Sequence, residues 1–162
     1  MSGHSIRPAV ADDAEGLAVV LKALVLAGQR SKPSDAAFAL SHYLCHPQQI
    51  RCSVAIDPRG TVLGFQSLKL ATAGNPYKVA EGLGIIGTHI NPSSARQGIG
   101  RDLFRSTLRA AQEVGLPAID ATIGETNVGG LSYYGAMGFT EYRRLPGAIS
   151  KSFTLSDCQS LS

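Results

Sequence analysis

Ala14, Leu17, Ala18, Leu21, Leu24 and Val25 recur at three- and four-residue spacing, one apolar stripe that predicts a helix. Asp12 and Glu15 stand at capping-box spacing ahead of it, so the helix is expected to start there, after a short strand over 5–10. A loop over 28–34, with Arg30, Lys32 and Pro33, leads to a shorter helical stretch through Leu44 that Pro47 stops. The period then changes. Cys52, Val54 and Ile56 alternate with polar neighbours, Asp57-Pro58-Arg59-Gly60 reads as a turn, and 61–70 is again β-rich, which predicts an antiparallel hairpin. A loop over 72–81 precedes an apolar strand over 83–90. The next helix has a buried stripe read as Ile99, Leu103, Thr107, Leu108, Ala111 and Val114, with Gly115 and Pro117 marking its end. A strand over 118–123, a short helix over 127–137, a strand over 138–144 and a last strand over 149–155 follow. The order β-α-α-β-β-β-α-β-α-β-β predicts one α/β domain, a mixed sheet of about six to seven strands with helices on both faces.

At 162 residues the chain suits a single domain, assigned to 1–155 with 156–162 as a C-terminal tail. Cys45, Cys52 and Cys158 are odd in number and irregularly spaced, which argues against a disulfide framework and fits a reducing, cytoplasmic setting. No apolar run approaches the ~18 residues of a membrane span, so the sequence reads as soluble. The 15 basic and 12 acidic residues are scattered and give a net charge of only +3. There is no basic block interleaved with aromatics, and a nucleic-acid partner is not expected.

The exception to that scatter is Arg96, Arg101, Arg105 and Arg109, on and beside the glycine-rich stretch ARQGIGRDLF at 95–104. Glycines allow close backbone approach, and a helix start offers unpaired N–H groups at the positive dipole end. Gly98 and Gly100 between a strand and a helix therefore suit an anion such as a phosphate, whose space a side chain at either position would fill. The alternative is a tight turn whose glycines serve packing. Arg105 and Arg109, one and two turns further on, read as a solvated helix face.

Two blocks at this spacing, INPSSARQGIGRDLF (90–104) and ETNVGGLSYYGAMGF (125–139), resemble the GNAT superfamily of acetyl-CoA-dependent N-acetyltransferases. The element order is similar as well. The first block resembles that family's pyrophosphate loop, [QR]-x-x-G-x-[GA], and the second its Asn…Tyr-x-x-x-Gly-Phe segment. The resemblance implies acetyl-CoA as co-substrate, with the backbone of Arg96, Gln97, Gly98, Ile99, Gly100 and Arg101 on the pyrophosphate. It implies main-chain contacts from Ile90 and His89 to the pantetheine arm and thioester carbonyl, a contact from Asn127 to the same arm, and Tyr134 near the CoA sulfur. The chain departs from the pattern at Ala95, where Gln or Arg is usual.

Aminolysis of a thioester needs a neutral amine, although an alkylammonium has a pKa of about 10.4, and it needs a proton for the departing thiolate. Tyr134 can supply that proton, the alternative being a core tyrosine with a satisfied hydroxyl. For the amine's proton, many relatives carry a carboxylate in the strand before the pyrophosphate loop. Here 83–90 has none, and Ile85 stands where one would be sought. His89 falls on the same face and has an ordinary pKa near 6.5. Water and Glu125 are the alternatives. Arg30 and Lys32 fall in a loop that the resemblance puts at the acceptor pocket, where they could hold a substrate carboxylate or simply be solvated.

Other constellations are weaker. His42, Cys45, His46 and Cys52 lack the paired spacing of a zinc site, so no metal is expected. Ser93, Ser94 and Ser132 have no nucleophile-elbow context. Gly98-Ile99-Gly100 with Asp120 further on mimics half a dinucleotide fingerprint, but mid-chain. The expectation is direct N-acetyl transfer to the primary amine of a small, amino-acid-like molecule, by a protein that acts alone or as a homodimer. A peptide or protein amine, a silent acyl-CoA-binding module and a nucleotide-dependent oxidoreductase are the competing readings.

Overall fold

The computed structural model describes residues 3–155. Cys158 and the assigned tail at 156–162 lie outside them. Seven strands form one mixed sheet: β1 (Ser5–Pro8), β2 (Gln49–Ile56), β3 (Val62–Leu70), β4 (Gly84–Ile90), β5 (Ala118–Gly124), β6 (Thr140–Leu145) and β7 (Ala148–Thr154). Their order is β1-β2-β3-β4-β5-β7-β6. The helices are α1 (Ala14–Leu26), α2 (Ala36–Ala39), α3 (Ile99–Glu113) and α4 (Val128–Met137), with a π turn at Leu40–Leu44. This is the expected order and fold class.

The two faces of β2 show why helices cover both sides. Cys52 and Val54 pack with Leu17, Leu21 and Phe65 under α1. Ala55, on the other face, packs with Ile99 and Leu103 of α3. The neighbouring Ser53, polar in sequence, is fully buried there and is satisfied by Ser106 Oγ at 2.8 Å.

Two local expectations change. The first is the capping box, which closes a 3-10 turn over Ala11–Asp13 ahead of α1, whose own N-cap makes no side-chain capping bond. Asp13, not Asp12, accepts the Val10 N–H at 2.8 Å and holds Arg7 through both carboxylate oxygens at 2.8 and 2.9 Å. Arg7 and that N–H together hold the Asp13 carboxyl below its ordinary pKa. The second is the stripe of α3, where Val114 is exposed at 58% while Phe104 and Ala110 are buried. Phe104 meets Phe139, just ahead of β6, and Phe153 of β7 at ring distances of 5.5 and 5.4 Å, a contact that helical spacing alone does not reveal. A further feature, on which the sequence is silent, is that Gln66 and Lys69 of β3 are buried.

One feature of the sheet makes the site. β4 and β5 run parallel and pair only at Gly84↔Ile119 and Ile85↔Asp120. Beyond those positions the strands separate, and the opening widens toward their carboxyl ends, where α3 and α4 begin. That is where open α/β sheets bind ligands.

Candidate active site

A cleft of about 760 Å³ occupies the opening between β4 and β5 and extends under the loop that follows α1. Its walls can be derived strand by strand. Asn91 N donates to Leu63 O and Ala71 N to Leu83 O, which makes the odd-numbered residues of β4 the hydrogen-bonded partners of β3. His89 therefore turns its main-chain N–H and C=O to Phe65. Thr88 and Ile90 turn theirs toward the opening. The expectation that His89 offers main-chain groups to a ligand is thus corrected: Ile90 keeps that geometry and Thr88, not His89, shares it.

The glycine-rich turn ends at the cleft mouth. Arg96 has φ +64°, Gln97 is exposed, and Gly98, with φ +77°, is the N-cap of α3. The N–H groups of Ile99, Gly100 and Arg101 fall in the first turn, where no intrahelical acceptor exists. The two glycines serve different ends. A side chain at Gly98 would meet little besides the tip of Arg101, 3.2 Å away, so glycine answers there to the left-handed backbone. A Cβ at Gly100 would lie 2.6 Å from Tyr133 Cε1. The space that Gly100 keeps open thus belongs to the Tyr133 ring, and not to a phosphate as the sequence suggested.

Tyr133 is a cleft residue that the motif does not single out. Its hydroxyl donates to Gly100 O at 2.7 Å and accepts from Gln66 Nε2 at 2.9 Å, tying α4 to the start of α3. Tyr134 next to it is buried, with its hydroxyl 2.7 Å from Thr88 Oγ1. Burial raises its pKa, so the phenol keeps its proton throughout the physiological range. Asn127 caps α4, its side-chain oxygen accepting from Gly130 N at 2.9 Å. Its amide nitrogen is the group left for a ligand.

On the opposite wall His89 stacks on Phe65 with ring centroids 4.7 Å apart. Its Nε2 lies 3.5 Å from Arg30 Nη1 and 3.4 Å from Tyr43 OH. A guanidinium only donates, so Nε2 is the accepting nitrogen and Nδ1 carries the hydrogen. Burial, followed by the charges of Arg30, Lys32, His42 and Lys69, lowers the His89 pKa to about 3. The expected near-neutral titration is therefore corrected: His89 is uncharged at pH 7, its lone pair faces a cation, and it is a poor proton acceptor.

Arg30 and Lys32 do stand at the cleft. Arg30 Nη2 donates to Pro33 O at 2.7 Å, its guanidinium lies 5.6 Å from the Phe38 ring centroid, and its buried Nε has no partner among the described residues. Lys32 Nζ is 5.8 Å from the Tyr77 ring centroid. Tyr77 is held from the far side of the molecule. Arg143 of β6 donates to Tyr77 O and Lys78 O at 2.8 Å each, and it is backed by buried Asp120, which also accepts from Thr122 at 2.7 Å and from Tyr142. Asp120 is thus a tie between β5 and β6. Glu125 is exposed and does not line the cleft. Among the described residues no group of three or more His, Cys, Asp or Glu could hold a metal ion.

No curated protein matches the sequence. Solved structures share the fold. A GCN5-related N-acetyltransferase from Kribbella flavida is 20% identical, with a TM-score of 0.78 over 94% of this chain and 98% of that one. A phosphinothricin acetyltransferase from Sinorhizobium meliloti in complex with AcCoA is 21% identical, with a TM-score of 0.74 over 94% and 88%. The PaiA N-acetyltransferase from Thermoplasma acidophilum in complex with coenzyme A is 17% identical, with a TM-score of 0.70 over 95% and 99%. The family model of the acetyltransferase (GNAT) family matches residues 20–139, a span that holds the splayed strands, the glycine-rich helix start and the Tyr133-Tyr134 pair, and the chain belongs to that family.

Proposed function

We propose that the protein moves the acetyl group of acetyl-CoA directly to the primary amine of a small, amino-acid-like acceptor. The observation that carries this is the opening between β4 and β5, with a helix start at its mouth. A pantetheine arm can add to the free edge of β4 as a strand would, on the N–H and C=O of Thr88 and Ile90. The first-turn N–H groups from Ile99 to Arg101 and the turn from Arg96 can hold the pyrophosphate. In the reaction the amine nitrogen bonds to the thioester carbonyl carbon, the C–S bond breaks, and the thiolate takes a proton. Tyr134, kept protonated by its burial, is the donor for that step.

Deprotonation of the amine needs no side-chain base in this reading. No carboxylate lines the cleft to stabilise an acceptor ammonium, and water carries the proton away. The kcat/KM of the unmodified protein should accordingly rise with pH toward the acceptor's own pKa, without a limb near 6.5. His89→Gln should follow the same profile. A limb near 6.5 that His89→Gln abolishes would restore histidine as the base.

Arg30 and Lys32 support an acceptor carboxylate. Amino acids should be acetylated at least about tenfold better, in kcat/KM, than the matching amines without a carboxylate, and the Arg30→Ala/Lys32→Ala double variant should erase the difference. Equal rates for both substrate types in the unmodified protein would count against the pair. A second reading, a silent acyl-CoA-binding module, draws on one observation: no carboxylate lines the cleft. Amine-dependent release of free CoA thiol separates the two.

A further inference from the structure

Lys69 is not explained by the acetyl-transfer chemistry. It lies on β3, is only 8% exposed, and projects into the cleft floor with Nζ 5.2 Å from the Tyr43 ring centroid. Lysine is almost never this buried without an anion. Yet among the described residues no carboxylate lies within salt-bridge distance of Lys69, Arg30 or Lys32, while every carboxylate that is paired belongs to Arg7, His4, Arg105, Arg143 or Arg144. The cleft lining contains no Asp or Glu at all. Three cations thus share one chamber, two on the loop after α1 and one on its floor, with nothing of opposite charge.

Burial, and repulsion from Lys32, lower the Lys69 pKa to about 8, so it is still mostly charged at pH 7. Its hydrophobic stem alone could have been served by methionine or leucine. A cation facing the cleft with no anion beside it is a cost to the free protein that an arriving anion lowers, and such a site favours a ligand that brings the anion over an isostere that does not.

We propose that the acceptor carries a second oxyanion besides its α-carboxylate, and that Lys69 on the cleft floor receives it: the substrate class is an amino diacid. This rests on the reading of the cleft as the acceptor site. One carboxylate then faces Arg30 and Lys32 at the rim and the other acid group reaches Lys69, which orients the amine between them toward the opening of β4 and β5. A monocarboxylic amino acid leaves Lys69 unpaired and binds weakly.

The test is calorimetric titration, in the presence of CoA, of glutamate against glutamine and of 2-amino-4-phosphonobutyrate against norvaline, at pH 7. Each pair shares a backbone and differs in the second charge. The unmodified protein should bind the acidic member at least about tenfold more tightly, Lys69→Met should bring the ratio to about one, and Lys69→Arg should keep most of it. Ratios near one for both pairs in the unmodified protein would overturn the proposal without any variant. So would a ratio that survives Lys69→Met. Because binding is read apart from turnover, a protein that prefers the diacids but acetylates none of them would refute the acetyl-transfer reading and leave this one standing.

Discussion

Gly100→Val is expected to abolish measurable binding of acetyl-CoA, a loss of about 10²-fold or more in affinity, and to lower the melting temperature by several degrees. The new Cβ would stand 2.6 Å from Tyr133 Cε1, and the ring cannot simply swing aside, since its hydroxyl is fixed by Gly100 O and Gln66 Nε2. Overpacking of this kind costs about 1–3 kcal/mol, and displacing Tyr133 also leaves Gln66 Nε2 and Gly100 O short of a partner. Tyr133 lines the cleft, so its displacement reshapes the cleft wall. Gly98→Ala meets only the flexible tip of Arg101 and should cost about 1–2 kcal/mol for the left-handed backbone, with binding weakened and not lost. Calorimetric titration and a melting curve for both variants check the contrast. Undiminished affinity in Gly100→Val would remove Tyr133 and the start of α3 from the acetyl-CoA site.

Tyr134→Phe should lower turnover at saturating substrate at least tenfold, with acetyl-CoA affinity little changed. The variant also leaves Thr88 Oγ1 without one of its partners, a loss of about 0.5–1.5 kcal/mol in stability, so activity must be compared well below the melting temperature. A leaving-group series isolates the proton. Thioesters of more acidic thiols need less help in departing, and the penalty of Tyr134→Phe should shrink across them if the tyrosine serves the thiolate. A penalty independent of the leaving group would assign Tyr134 to packing against Tyr133 and Phe139.

Much of this fold was legible in the sequence because its signals are local. Helical spacing, turn residues and the stop at Gly115 and Pro117 specify the elements, and two short motifs mark the ends of β4 and β5 where the sheet opens. What sequence reasoning missed is cross-strand or cross-layer. Glycine at 100 looks like room for a phosphate until Tyr133, from a different helix, is seen filling the space. His89 has an ordinary pKa on paper, and only the fold brings Arg30, Lys32, His42 and Lys69 around it. Lys69, in an alternating strand, gave no sign of being buried on a cleft floor. Its one available signal was a lysine on the same strand face as Phe65 and Ser67, which pair with β4 residues around the future site. Arg143, fixing the loop of Tyr77 from the far edge of the sheet, had no sequence signal at all.

Acetyl transfer requires that an amine consume the thioester. The purified protein, acetyl-CoA and a panel of amino acids with their diacid members should release one free CoA thiol for each N-acetyl group found by mass spectrometry on the acceptor, with release dependent on the amine. Tight binding of acetyl-CoA with no amine-dependent thiol release, for any member of the panel, would contradict it.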